Sequence, residues 1–227
     1  MSHPDLPFSE RFPWTDLEAR LRAACLEGAV SVDATGRWYE RVGTDGELVW
    51  ALRPPLAAIG ANTLPPVATW GGRWDASLGR YAILLLQAGA AAVGLFEDDD
   101  LLDHKAWKRY VVRGQGKAQP THLKTRGKSR LGSRLRLRNA RRLLEEVSER
   151  LGSWFEEDDP PARLYTSCPV RLYADFMETD PTPPVTTEDP RRVTIPLDVH
   201  VPTHAELLRV QRSIIHGRAW WARSPDE

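Results

Sequence analysis

Between His104 and Arg142 the chain carries fourteen lysines and arginines and not one aspartate or glutamate. The sequence of 227 residues is formally neutral, with 31 basic and 31 acidic residues. Outside this stretch, 17 cations therefore face all 31 acids, a balance of −14. Segregation on that scale opposes compaction by self-repulsion unless a polyanion meets the basic part. A charge run is often only a solvated face, but 39 residues without a single acid fit that reading poorly. A fold for this chain must present the segment to an anionic partner, and RNA is the expected one.

The remaining bulk properties are ordinary. Hydrophobic residues make up 41% and charged residues 27%, as in a soluble globular protein with one sizeable core or one core with appendages. The longest apolar run, residues 81–96, is broken by Gln87, Gly89 and Gly94 and followed by Asp98-Asp99-Asp100, so no membrane partner is expected. The start, with Pro4, Asp5 and Pro7, does not read as a signal segment. Cys25 and Cys168 cannot build a disulfide framework, and a cytoplasmic location is expected.

Periodicity divides the chain. Residues 16–27 have helical apolar spacing at Leu17, Leu21, Ala24 and Cys25, with Thr15 placed as N-cap. Short strands are predicted at 30–32, 38–42 and 48–52, with Thr44-Asp45-Gly46 as the hairpin turn between the last two. Residues 53–72 are rich in Pro and Gly and read as irregular. Residues 80–86, 91–96 and 105–112 read as an antiparallel meander, its first two strands apolar enough to be covered on both faces. Residues 114–128 lack apolar periodicity and form a loop, followed by a long basic helix over 129–151 striped by Leu131, Leu135, Leu143, Val147 and Leu151. A strand at 163–168, a linker at 179–190, an edge strand at 192–197 and a helix after the capping box Thr203-His204-Ala205-Glu206 complete the pattern. The fold class is α/β, a mixed sheet with a long basic helix after a Gly-x-x-Gln loop. The expected division is an N-terminal α/β and Pro-rich segment over 1–79, and a catalytic domain over 80–227.

The block His104-Lys105-Ala106-Trp107-Lys108-Arg109-Tyr110-Val111-Val112-Arg113 runs into Gly114-Gln115-Gly116-Lys117-Ala118-Gln119, and Gly132-Ser133-Arg134-Leu135-Arg136-Leu137-Arg138-Asn139 follows. This order resembles the catalytic domain of the Vms/Ankzf peptidyl-tRNA hydrolases, a ribosome-quality-control branch of the eukaryotic-type release factors. Arg192–Pro196 and Pro202-Thr203-x-x-Glu206 resemble the end of that domain, so the likeness covers residues 80–215 and leaves the N-terminal third unmatched. Ala140 stands where the family usually has an acid, and Pro120 follows Gln119 in place of a small polar residue. The resemblance implies a compact version of the bacterial kind. Its implied activity frees stalled chains from peptidyl-tRNA on the large ribosomal subunit, as a monomer and without a cofactor. It also implies that Gln119, Gly116 and Gly114 form the catalytic loop.

These residue types suit such chemistry. Glycines allow close approach of backbone to substrate. Gln119 has a neutral amide with two donors and an acceptor, so it can position a water or an oxyanion but cannot act as general base. Lys105, Arg109, Arg113, Lys117, Lys124, Arg126, Lys128, Arg130, Arg134 and Arg138 are the expected RNA-binding set, neutralising phosphates with little choice of sequence. Ester hydrolysis is the expected reaction. Cleavage of the tRNA acceptor end, with His122 and Lys117 as acid–base candidates, is the alternative, and a non-catalytic RNA-binding factor is a third. Asp98, Asp99, Asp100 and Asp103 read as a solvated loop rather than a metal site, and Pro202 between His200 and His204 argues against zinc there.

Overall fold

The computed structural model describes residues 4–59, 64–69, 77–109 and 128–223, without the side chains of Ala68 and of 128–133. In chain order the first elements are β1 (Phe8–Pro13), α1 (Leu17–Glu27), β2 (Ser31–Val32), β3 (Tyr39–Val42), β4 (Leu48–Arg53) and α2 (Leu56–Ile59). β5 (Arg80–Gln87), β6 (Ala90–Glu97), β7 (Asp100–Lys108), α3 (Lys128–Phe155) and β8 (Arg163–Ser167) follow. The last are α4 (Val170–Met177), β9 (Arg192–Thr194), α5 (His204–Ile214) and β10 (His216–Trp221). They form two compact units, Met1–Leu78 with Arg209–Glu227, and Gly79–Leu208.

The first unit holds an antiparallel sheet in the order β1-β10-β4-β3-β2. One face buries Phe12, Tyr39, Trp50, Leu52 and Ala219 against Leu17, Leu21 and Ala24 of α1. Gly46, at φ +85°, makes the β3–β4 turn where Thr44-Asp45-Gly46 is expected, with the Gly43 N–H donating to the Glu47 carbonyl at 2.8 Å. Thr15 is not the cap of α1. A 3₁₀ turn over Trp14–Asp16 precedes the helix, and the Thr15 hydroxyl donates to Asp16 instead.

The second unit is a mixed sheet in the order β7-β6-β5-β8-β9, with β5, β6 and β7 an antiparallel meander and β8 and β9 parallel to β5. The parallel pairings need crossovers, which α3 and α4 supply. β5 and β6 are central and buried along almost their whole length, as their apolar runs require. One face packs Ala82, Leu84, Leu86, Val93 and Leu95 under Leu143, Val147, Leu151 and Trp154 of α3 and Tyr173 and Phe176 of α4. On the other face Tyr81 stacks on Phe96 and meets Tyr165 edge-on. There, a Cβ on Gly94 would lie 2.8 Å from Leu207 of α5, so glycine is what admits the helix.

Several boundaries differ from those expected of the sequence. β7 starts at Asp100 and ends at Lys108, because its pairing with β6 begins at the Glu97–Asp100 turn. Among the described side chains the α3 stripe is buried from Leu143 onward, and Leu135 and Leu137 are exposed; Leu131 lies outside them. β9 is an edge strand but not the last one. β10 returns between β1 and β4, so residues 209–227 belong with the N-terminal unit and not with 80–208. β1, α2, α4 and β10 are not among the elements expected; β10, HGRAWW, has neither an apolar run nor clean alternation.

Gly217 faces Phe12 so closely that a Cβ there would meet the Phe12 ring at 2.3 Å and the Arg53 carbonyl oxygen at 2.8 Å. Backbone cannot yield as a flexible side chain can, so Gly217→Ala should lower stability by about 1–3 kcal/mol, read as a lower denaturation midpoint at unchanged m-value. An unchanged midpoint would mean that β1 and β10 separate without loss.

Candidate nucleic-acid interface

β7 and α3 bracket the acid-free segment. The loop residues Gly114, Gly116 and Gln119, with Arg113, Lys117, Lys124 and Arg126, lie outside the described residues, as do Tyr110 and His122. Lys128 and Arg130 belong to the first turn of α3, and their side chains are likewise outside. β7 to Lys108, Arg109 and the side chains of α3 from Arg134 onward lie within the described residues.

Alternate residues of β7 point towards α3. Asp103 accepts the Trp154 indole N–H at 3.0 Å and pairs with Arg150, whose guanidinium also lies over the Trp154 ring. Trp107 enters the core beneath Leu143 and Val147. Beyond the strand's end, Arg109 Nη2 reaches both carboxylate oxygens of Glu146 at 2.6 Å, and the Arg109 backbone N–H donates to the Gly89 carbonyl at 2.7 Å. These pairings align β7 and α3 antiparallel, so the part of the helix before Glu146 runs on past the end of β7. From Lys128 to Glu146 that part is about 27 Å long at the α-helical rise.

Its charges are arranged against its own stability. Arg134 and Arg138 are exposed, and they repel at i,i+4 spacing, which costs a few tenths of a kcal/mol. They also lie towards the helix N-terminus, where the macrodipole is already positive. Among the described residues of the helix, pairing with acids begins at Arg141–Glu145 and Arg142–Glu146. Exposed Leu135 and Leu137 stand among these arginines. A polyanion would relieve the repulsion, and a field of this sign attracts phosphates.

The expected RNA-binding residues thus separate. Arg134 and Arg138 are open to solvent, and so is Lys105, whose ammonium sits 5.1 Å from the centre of the Trp107 ring. Arg109 differs, since its charge is matched by Glu146 and its role in the frame is that of a strut. Sequence reasoning passed over Glu146; its signal is the i+4 spacing from Arg142, at the first acids after the basic stretch. Desolvation alone would raise the Glu146 carboxyl, but hydrogen bonds from Arg109 and Arg142, with their charges, outweigh it and hold the carboxyl below the usual range.

The rival sites are engaged elsewhere. Asp98, at φ +51°, makes the β6–β7 turn, and its side chain accepts from the Gly79 N–H. Asp103 lies inside β7 and not in the loop. His200 donates its backbone N–H to Glu206 at 2.7 Å, and Thr203 caps the Glu206 N–H at 3.1 Å. His204 stacks on His104 at 4.0 Å. Among the described residues no three His, Cys, Asp or Glu gather as a metal site. Burial pushes the Cys168 thiol up to about 12, so it is no thiolate nucleophile at neutral pH.

Residues 81–219, the stretch that contains this frame, match the family model of the Bacteroidetes VLRF1 release factor. The chain belongs to that family. It is thus a release-factor-like protein of translation. It is also 31% identical over 144 residues to the tRNA endonuclease vms-1 of Caenorhabditis elegans, an alignment that takes in 60% of this chain and 23% of the worm protein. The chain therefore spans about a quarter of that relative. A solved structure described as the Vms1 mitochondrial localization core aligns with TM-score 0.48 and 12% identity, over 90% of this chain and 80% of the other. No helix among the described residues is long and apolar enough to cross a membrane.

The depressed carboxyl of Glu146 makes a pH prediction. Its contribution to stability is present above the unfolded carboxylate pKa and is lost as pH falls through the lower folded value. Glu146→Gln should therefore flatten the stability profile on the acid side, from the ordinary carboxylate range downward, where the depressed carboxyl of the fold takes up its proton. Midpoints of urea unfolding across that range test it, and parallel profiles for both proteins would refute it.

Proposed function

We propose that this protein frees nascent chains from peptidyl-tRNA on the large ribosomal subunit, with the Gly-x-x-Gln loop at Gln119 acting on the ester bond. The observation that carries the proposal is the projecting half of α3. It begins directly after the Gln119 loop, it is rich in arginine and free of acid up to Arg142, and the Arg109–Glu146 strut sets its direction. A cationic helix rooted beside the loop would grip RNA while the loop enters the peptidyl-transferase site. Family membership supports release as the outcome.

In this reading water attacks the ester carbonyl and negative charge grows on one oxygen. Gln119 and the glycine-flanked backbone supply neutral donors to that oxygen and hold the water. The ester C–O bond then breaks, and the proton of the water passes by way of the neighbouring ribose hydroxyl to the departing ribose oxygen of the tRNA, since a glutamine amide cannot take it. The soluble partners are peptidyl-tRNA and the ribosome, and the compartment is the cytosol. Arg134, Arg138 and Lys105 bind phosphate.

A second reading has one specific observation in its favour, the worm relative named as a tRNA endonuclease. There the 2′-hydroxyl of a nucleotide near the acceptor end would attack the adjacent phosphorus and expel the 5′-oxygen of the next nucleotide. His122 and Lys117 are the residues of the loop that could move those protons.

Stalled large subunits carrying a labelled nascent chain separate the readings. Gln119→Ala should slow release by about 10²–10³-fold while ribosome binding persists. The liberated tRNA should keep its full CCA end, and the peptide should carry a free carboxylate. A shortened tRNA with a nucleotide left on the peptide, abolished in His122→Ala or Lys117→Ala, would transfer the assignment to the nuclease. Release at the normal rate by Gln119→Ala would remove that residue from the mechanism.

A further inference from the structure

The outer face of α3 changes sign along its length. Arg134, Arg138 and Arg141, then Glu145, Glu149 and Glu156, stand three, four or seven residues apart, which at 3.6 residues per turn keeps them on one stripe. Glu156 continues the last turn, its N–H donating to the Gly152 carbonyl at 3.0 Å. Arg141 pairs with Glu145 of its own chain. Arg134, Arg138, Glu149 and Glu156 are exposed and have no ion pair among the described residues.

This stripe is its own complement. Turned end for end about a two-fold axis at Glu145, it sets Arg134 against Glu156 of the partner subunit and Arg141 against Glu149 of the partner subunit. Arg138 then falls between the two acids. An isologous contact makes each such pairing twice. Glu145 meets its own copy at the axis, where Arg141 of each chain already holds it. From Arg134 to Glu156 the stripe is about 33 Å long.

Apolar surface follows the same symmetry. Leu137 is 70% exposed, and Phe155, about five turns on, lies on the same flank of the stripe. Beside Phe155 runs a groove of about 470 Å³, walled by Ser148 and Gly152 of α3 and by Pro181 and Pro184. A Cβ on Gly152 would meet no described atom within 4 Å outside its own helical turn, so packing inside the chain does not call for glycine there. Glycine weakens a helix interior, and its use where nothing crowds it fits a place kept open for an incoming group. The two-fold operation carries Leu137 of the partner subunit to this groove.

We propose that α3 pairs antiparallel with α3 of a second copy, Leu137 seated over Gly152, in place of the monomer that the family resemblance implies. The pairing stands on the stripe and the groove alone. Its consequence rests on the release reading, because Arg134 and Arg138 are the cations given there to phosphate. RNA and the second copy then compete for one helix, and the dimer is the RNA-free form.

Sedimentation velocity of the full chain at rising protein concentration, without RNA, tests the pairing. Wild type should pass from monomer to dimer, and added salt should reverse this, since exposed charges are screened. Arg134→Glu or Glu156→Arg alone should raise the dimer dissociation constant at least about tenfold, because each places like charges together twice. Both changes in one chain should restore the dimer, a rescue that a folding defect would not give. Gly152→Leu should fill the groove and leave a monomer with the helical circular dichroism of wild type. A labelled oligouridylate should dissociate the wild-type dimer. A wild type that stays monomeric, a dimer indifferent to the single reversals, or a double reversal without rescue overturns the proposal. Chain release by a wild type that stays monomeric would sink the dimer and leave the release reading standing. A dimer that persists with RNA bound overturns the competition.

Discussion

Glu146 sits where β7 runs out and α3 leaves the sheet, and it takes Arg109 from the strand on one side and Arg142 from its own helix on the other. Asp103 makes the corresponding connection farther along, to Arg150 and Trp154, with Trp107 buried between the two. These ties all fall in the second half of the helix. Each pair is only partly shielded from water, so none contributes much alone. Their value lies in direction. Packing by Leu143, Val147 and Leu151 permits a helix to roll or slide, whereas charged pairs on both sides of Trp107 fix its register against the strand. The two ends of the 110–127 connection inherit that register.

Charge follows the same axis. At one end of the second unit, Arg80 gathers Glu157 and Asp159, close in sequence to Glu156 and Asp158, and the β6–β7 turn adds Glu97 and Asp98–Asp100. At the other end stand Lys105, Lys108 and the arginines of α3. β7 alone, nine residues long, separates its acidic start from its basic finish by about 30 Å at the strand rise. That exceeds the Debye length of about 8 Å at physiological salt, so each pole acts on its own surroundings. Such a molecule approaches a polyanion with its basic end leading.

How much of this was legible in the sequence depends on the range of the forces involved. The meander, the turn at Gly46 and the long basic helix follow from periodicity within short windows, and the apolar runs of β5 and β6 announced strands covered on both faces. What was not legible depends on distant partners. Leu135 fits the helical stripe as well as Leu143 does, but nothing in the sequence says that the sheet ends beneath Leu143. Arg109 reads as one more cation until Glu146, 37 positions away, is seen beside it. β10 has neither an apolar run nor clean alternation, and only its neighbours β1 and β4 make a strand of it. The frame of the candidate site was therefore readable in outline, and the sorting of its arginines into struts and free cations was not.

The position of β10 governs the order in which the protein can be completed. β1 is made before every strand of the second sheet, and its ladder partner β10 after all of them. Throughout synthesis β1 waits with an unpaired edge, while the residues of the second sheet emerge and find partners close to them in the chain. An edge of this kind is open to pairing with other strands, and β1 is short and carries Glu10 and Arg11, features that discourage such pairing. Closure of the first sheet therefore waits until the strands of the second sheet have been made. A nascent chain that stops short of His216 leaves β1 without a neighbour.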